Sequence, residues 1–128
     1  MKQIISGEIM KRSRTLAAIL AFGLALFGTV ASAQFFDGYQ LKTWFDARDR
    51  VERGNYTSAD VQHQAYGLAY VAGVSDVVTG ITFCASPNVT VGQLLAVVRK
   101  HLLANPEKWD KSGAALVIDA LQQAFPCK

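Results

Sequence analysis

The chain has 128 residues, 51% of them hydrophobic, with 13 lysines and arginines against 10 aspartates and glutamates and a formal net charge of +3. This length excludes a multidomain enzyme, and this hydrophobic content excludes an intrinsically disordered chain. Residues 1–33 contain four basic side chains and one acidic one, whereas residues 34–128 contain nine of each. The larger part is therefore neutral, and we expect no basic surface for nucleic acid.

Residues 1–33 have the pattern of a secretory signal peptide. A basic stretch at residues 11–14 precedes an uncharged run from Thr15 to Phe36, and small residues ending in Ala33 form a site that a signal peptidase accepts. We predict cleavage after Ala33 and a mature helical domain of residues 34–128 outside the cytoplasm. The mature protein would then meet the membrane only during export.

Two features of this segment stay open. The uncharged run is long enough to span a bilayer, so a retained membrane helix is the alternative to cleavage. Translation starts at Met1 or at Met10, and the second start leaves a signal peptide of ordinary length.

The rest of the chain predicts four helices and no convincing strand. The first helix covers roughly residues 38–52, with Leu41, Trp44 and Phe45 on one face, and it ends at Gly54-Asn55. The mixed charges at residues 48–53 are expected to form a solvated face.

The second predicted helix begins near Ser58, the expected N-cap, and runs toward Gly80. Between residues 66 and 74 it is apolar on nearly every side, which predicts a buried central helix. Small residues four positions apart would let a neighbouring helix approach closely: Ala65, Ala69 and Gly73.

The third and fourth helices are predicted to form an antiparallel hairpin. Thr90 and Gln93 have the spacing of a capping box at the start of the third helix, which ends at Asn105-Pro106. The fourth runs from about Asp110 to Phe125, and the short link between the two helices favours antiparallel packing. The expected inner faces are Leu94, Leu95, Val98 and Leu102 in the third helix, and Ala114, Val117, Ile118, Leu121 and Phe125 in the fourth.

Two cysteines, Cys84 and Cys127, fall in the predicted mature domain. An even count in a small exported protein favours one disulfide, and the two residues flank the predicted hairpin at the same end. Free thiols or half of a metal site are the alternatives, although zinc would need more ligands. The predicted fold is an all-α bundle of about four helices with a C-terminal antiparallel hairpin and one disulfide.

No arrangement of side chains predicts catalysis, a metal or a cofactor. Asp60 and His63 are expected to be a solvent-facing pair on the second helix, and His101 is expected to favour the dipole at the end of the third. Asp76 is expected to accept hydrogen bonds from a loop or capping group. The sequence therefore predicts a protein that is not an enzyme.

One loop is a candidate surface for a protein partner. It contains Glu107, Lys108, Trp109 and Lys111, and a tryptophan flanked by charges is typical of interface anchors. The alternative is that Trp109 folds back to cover the open end of the helical hairpin.

Residues 66–127 carry a series of short motifs in a fixed order. They are Tyr70-Val71-x-Gly73-x-x-Asp76, then Cys84, then Val89-Thr90-x-Gly92-Gln93-Leu94, then Asn105-Pro106-Glu107, and finally Ala120-Leu121-x-x-Ala124-Phe125-Pro126-Cys127. In this order and spacing they resemble the Rap1a/Tai immunity protein domain family. The resemblance implies a small exported bacterial helical protein with a signal peptide and a paired cysteine.

The resemblance also implies a function. The best-understood members are immunity proteins of type VI secretion that bind a peptidoglycan-cleaving amidase effector in the periplasm and block its active site, commonly as homodimers. The alternative is a housekeeping periplasmic protein, such as a small chaperone or an envelope-assembly factor, with no toxin partner. The matched motifs are caps, small packing residues and cysteines, so they do not identify the interface.

Overall fold

A computed structural model describes residues 34–128 as one compact unit, and the predicted signal peptide lies outside the described residues. Within residues 34–128 the structure has four α-helices, a 3₁₀ turn and no β-strand. The elements are α1 (Gly38–Glu52), α2 (Ser58–Val78), α3 (Val91–Ala104), the 3₁₀ turn (Pro106–Lys108) and α4 (Gly113–Ala124). The predicted all-α bundle is confirmed.

Three of the four helices, α1, α2 and α3, begin at a capping side chain. At α3, the hydroxyl of Thr90 accepts the backbone N–H of Gln93 while the Gln93 side chain accepts the N–H of Thr90, which confirms the predicted capping box. The prediction for α2 is wrong by one residue, because Thr57 and not Ser58 is the N-cap. Thr57 is favoured as the N-cap because the carboxylate of Asp60, three residues later, accepts its backbone N–H at 2.9 Å.

The fourth helix starts three residues later than predicted, at Gly113 rather than near Asp110. The chain before it is held in another conformation, because the carbonyl groups of Trp109 and Lys111 accept the backbone N–H groups of Tyr39 and Gly38. These groups at the start of α1 have no partner within their own helix, so docking the segment satisfies both.

The hydrophobic core is formed mainly by α1, α3 and α4, with Val71 from α2 and Phe83 from the connection between α2 and α3. The predicted inner faces of α1 and α3 are confirmed, while in α4 Leu116 and Ala120 are buried and Ala114 and Ile118 are only half-buried. The buried apolar side chains are Leu41, Trp44, Phe45, Ala47, Val71, Phe83, Leu94, Leu95, Val98, Leu102, Leu116, Val117, Ala120 and Leu121.

The prediction that α2 is a buried central helix is wrong. The rest of the described chain covers only one side of it, around Val71 and Ser75, and the opposite side faces solvent. Tyr66, Leu68 and Val77 are 47%, 48% and 73% exposed. The other three helices pack on the side of α2 around Val71, and no further helix among residues 34–128 is left to cover the opposite side.

The predicted disulfide joins Cys84 and Cys127, with 4.8 Å between their Cα atoms. The antiparallel packing of α3 and α4 brings both cysteines to one end of the bundle, where the N–H of Cys84 also donates to the carbonyl of Phe125 at 2.8 Å. A structural disulfide of this kind suits an oxidising compartment. Among residues 34–128, no helix combines the length and the apolar composition that crossing a bilayer requires.

Candidate functional site

The segment Pro106–Lys111, which we call the 106–111 loop, contains the residues predicted to bind a partner. Its tryptophan points back toward the bundle: the indole N–H of Trp109 donates to the carbonyl of Leu102 at 2.8 Å. The ring packs edge-on against Tyr39, with 5.7 Å between centroids, and Lys42 Nζ lies 5.4 Å from its centroid. Trp109 thus covers the end of the hairpin, as in the fold-back alternative, and remains half-buried.

The backbone of this loop lies unusually close to the start of α1. The N–H of Gly38 donates to Lys111 at 3.1 Å and the N–H of Tyr39 donates to Trp109 at 3.2 Å. A Cβ at Gly38 would be only 2.6 Å from the Cα of Trp109, so this approach requires a glycine. The loop is therefore held in one conformation at its backbone.

The charged side chains of the loop differ in how firmly they are held. Glu107 and Lys111 are exposed, and Lys111 Nζ lies 3.1 Å from Asp110 Oδ2. Lys108 is half-buried, and its Nζ lies 3.7 Å from Asp119 Oδ2 on α4. The structure thus brings the four predicted residues together but turns the charges outward and the tryptophan inward.

His101 also approaches Asp119. Its Nε2 atom lies 3.1 Å from Asp119 Oδ2, and the imidazole is largely buried between α3 and α4. We expected His101 to act through the dipole of its own helix. The structure instead places it in a polar contact between two helices.

A polar cleft of about 420 Å³ lies between α1 and α3. The guanidinium group of Arg99 bonds to the carboxylate of Asp49 across it, and Arg48 donates to Glu52 at 2.7 Å. The charged stretch of α1 is thus not simply a solvated face, because Asp49 ties α1 to α3. The charged side chains lining the cleft are Arg48, Asp49, Glu52, Arg53 and Arg99.

A second ion pair ties α1 to α2. Asp60 is only 6% exposed, and its Oδ1 atom accepts from Arg50 Nη2 at 2.5 Å and from Arg50 Nε at 3.1 Å. The Arg50 guanidinium, together with the N–H of Thr57, holds the pKa of Asp60 well below its usual range, although burial acts in the opposite direction. The expectation of a solvent-facing pair with His63 is therefore wrong, since Asp60 serves as both a helix cap and an interhelical contact.

Two apolar depressions follow α2 on its uncovered side, and we call them together the α2 groove. They have volumes of about 500 and 470 Å³ and share Ala69 and Tyr70. Burial raises the pKa of the Tyr70 hydroxyl, which lies between them. The remaining lining includes Phe36, Trp44 and Tyr66 at one end and Gly73, Val77 and Ile118 at the other.

Two titratable side chains of α2 differ in their relation to the groove: His63 lines one end of it, and Asp76 does not line it. His63 is half-buried beside Tyr66, with 6.3 Å between ring centroids. Asp76 is exposed, and within residues 34–128 its carboxylate accepts no hydrogen bond. The predicted bond from a loop or capping group to Asp76 is therefore wrong.

The described residues contain no group of three or more histidine, cysteine, aspartate or glutamate side chains arranged to hold a metal ion. Sequence reasoning missed the two ion pairs and the α2 groove. The Thr57-x-x-Asp60 spacing was the one local signal that could have placed Asp60 at a helix cap.

Comparison with known proteins identifies the family. A family model described as Rap1a immunity proteins matches residues 37–127, from the N-cap of α1 to the second cysteine of the disulfide. Among curated proteins, none matches the chain significantly. Membership of this family implies a protein partner. Proteins of the family are generally not enzymes. Because the match covers nearly the whole described domain, the chain belongs to the Rap1a immunity protein family.

Proposed function

We propose that this protein is a periplasmic immunity protein that binds a peptidoglycan amidase effector of type VI secretion and occludes its active site. The observation that carries this proposal is the family match over residues 37–127. The disulfide between Cys84 and Cys127 supports export to an oxidising compartment, as does the predicted signal peptide cleaved after Ala33. In this role the protein acts by binding alone and uses no catalytic residue or cofactor.

We further propose that the 106–111 loop contacts the effector. Its backbone is already fixed by hydrogen bonds to α1, so binding would order little additional chain and would cost little conformational entropy. The exposed side chains of Glu107 and Lys111 supply charges of both signs for orienting a partner, with Lys108 beside them. Trp109 holds the loop against the bundle through the hydrogen bond from its indole N–H to the carbonyl of Leu102.

The test of inhibition is co-purification of the mature protein with a candidate amidase, followed by an assay of peptidoglycan hydrolysis. We expect a stable complex and hydrolysis reduced to background when the immunity protein reaches stoichiometric amounts. Unchanged hydrolysis at saturating protein would reject the proposal for that enzyme.

The role of the loop is tested separately by reversing one charge. Lys111→Glu should weaken inhibition about tenfold or more if this side chain meets the effector. Lys100→Glu is the matched control, because Lys100 is an exposed lysine on α3 outside the loop. Equal inhibition by both variants would place the interface elsewhere while leaving the inhibitory function intact.

Export is tested on the protein recovered from the periplasm. Its mass should correspond to a chain beginning at Gln34, and no thiol should be alkylated without prior reduction. Recovery of the uncleaved chain in the membrane fraction would instead support a retained N-terminal helix.

A further inference from the structure

The polar cleft between α1 and α3 contains one arginine that has no partner in the described part of the chain. Its charged lining consists of three arginines and two carboxylates: Arg48, Arg53, Arg99, Asp49 and Glu52. Arg48 pairs with Glu52, and Arg99 pairs with Asp49. Arg53 is exposed, and within residues 34–128 its guanidinium group makes no ion pair and no hydrogen bond. The cleft therefore has one positive charge in excess, and Arg53 carries it.

Arg53 is unpaired because of the way α3 packs against α1. On a helix, a carboxylate four residues before an arginine is well placed to pair with it, and Asp49 has that position relative to Arg53. The side chain of Asp49 is only 19% exposed, however, and its carboxylate is bonded to Arg99 from α3. The contact between the two helices thus occupies the local partner and leaves a cation at the end of α1.

The same cleft has room for an incoming side chain. On the α3 side it is lined by Gly92 and Ala96, which lie one turn apart, are exposed and are too small to fill it. A Cβ at Gly92 would meet only Thr90 Oγ1, at 3.8 Å. Phe45 and Leu95 also line the cleft and are buried, so its floor is apolar. An ion pair formed above an apolar floor is partly shielded from water and is stronger than one on open surface.

We propose that the polar cleft binds an acidic side chain of the effector, and that Arg53 forms the ion pair with its carboxylate. This inference rests on the proposed function, because the effector supplies the partner. The planar guanidinium group can donate two parallel hydrogen bonds to one carboxylate. The first turn of α3, which begins at Val91, contributes Gly92 to the cleft, so the positive end of the helix dipole favours the same anion. A basic side chain would instead meet an excess of positive charge.

The polar cleft and the 106–111 loop lie toward opposite ends of α1. The carbonyl of Trp109 in the loop accepts the N–H of Tyr39, and Arg53 follows Tyr39 by 14 residues. At a rise of about 1.5 Å per residue, about 21 Å separates the two positions along α1. A standard interface covers about 800 Å² of each partner, which corresponds to a patch about 30 Å across. A single effector is thus large enough to reach both.

The site is tested by NMR titration of the isotope-labelled mature protein with a triglutamate peptide whose termini are blocked. We expect saturable shifts of the Arg53 Nε–H and Gly92 N–H signals, and binding at least about tenfold weaker for the matching triglutamine peptide. Arg53→Glu should abolish these shifts, and it should fold normally because Arg53 is exposed and unpaired. Lys100→Glu is the matched control, since Lys100 is an exposed basic residue on α3 outside the cleft, and it should bind like the wild type.

Several outcomes of this titration would overturn the proposal. They are shifts spread equally over the basic side chains, equal binding of the two peptides, and unchanged binding by Arg53→Glu. Inorganic phosphate is titrated in the same way. If phosphate binds at these signals as tightly as the triglutamate peptide, the cleft is a general anion site, and its assignment to an acidic side chain is wrong.

The contact with the effector is tested with a candidate amidase. Arg53→Glu should weaken inhibition about tenfold, whereas Lys100→Glu should leave it unchanged. Equal inhibition by the two variants would mean that the effector does not use the cleft, so this inference would be wrong while the proposed function stands. If the wild-type protein does not inhibit the amidase, the proposed function fails for that enzyme, and the peptide titration still decides whether the cleft binds a carboxylate.

Discussion

Replacing Gly38 by alanine tests whether close backbone contact holds the 106–111 loop against α1. The new Cβ would lie 2.6 Å from the Cα of Trp109, 2.9 Å from its carbonyl oxygen and 2.8 Å from Cδ1 of Leu116. Carbon atoms in contact are normally about 3.5–4.0 Å apart, so the loop must retreat by about 1 Å. The methyl group of Leu116 can rotate away, but the backbone of Trp109 cannot move without lengthening its hydrogen bond from Tyr39.

The cost follows from these contacts. Overpacking typically costs about 1–3 kcal/mol, and each weakened backbone hydrogen bond adds up to about 1 kcal/mol. The higher helix propensity of alanine offsets at most about 1 kcal/mol. We therefore expect Gly38→Ala to lower the free energy of unfolding by about 2–3 kcal/mol. For a domain of this size the melting temperature should fall by about 10–20 °C.

The assay is thermal and urea unfolding followed by circular dichroism. Gly92→Ala is the matched control, because Gly92 also lies in the first turn of a helix and its added Cβ would be 3.8 Å from the nearest atom, Thr90 Oγ1. This control should change the free energy of unfolding by less than about 0.5 kcal/mol, or raise it slightly. Equal stability of the two variants would refute the inference that the loop needs a glycine beneath it.

Three further predictions concern stability. Replacing both Cys84 and Cys127 by serine should lower the free energy of unfolding by about 4 kcal/mol, which is the chain-entropy value for a loop of this length. Equal urea midpoints with and without the disulfide would contradict this prediction. Because the pKa of Asp60 is lower in the folded state than in the unfolded state, its contribution should be complete above about pH 4 and lost as the pH falls further. Urea midpoints between about pH 2 and 7 should therefore fall less steeply in Asp60→Asn, and parallel curves would show that other groups control acid unfolding. Thr90→Ala should lower the free energy of unfolding by about 1 kcal/mol through loss of the capping box. An unchanged urea midpoint would mean that water replaces the cap.

Local patterns predicted much of the fold. The capping box at Thr90, the inner face of α3 and the pairing of Cys84 with Cys127 all followed from residues a few positions apart or from the hairpin they define. Helix periodicity and capping depend on near neighbours along the chain, which is why a single sequence reveals them. The four residues of the 106–111 loop came together for the same reason, since they are nearly contiguous.

Other features depended on contacts between distant segments. Trp109 faces the bundle because its indole N–H donates to the carbonyl of Leu102 and because Gly38 lets the backbone of Trp109 approach α1 closely. Likewise, Asp60 was removed from solvent by Arg50, a residue on another helix. Periodicity cannot supply such information, because it describes which side of a helix is apolar and not which element packs there.

The second helix shows this division most clearly. Its sequence determined a long apolar helix with a row of small residues, and the structure contains that helix. Only the tertiary structure showed that its own chain covers just the side around Val71 and leaves Tyr66 and Val77 exposed. The composition of a helix sets how much apolar surface it has whose burial would be favourable. The number and placement of the other helices set how much of that surface is buried within one chain.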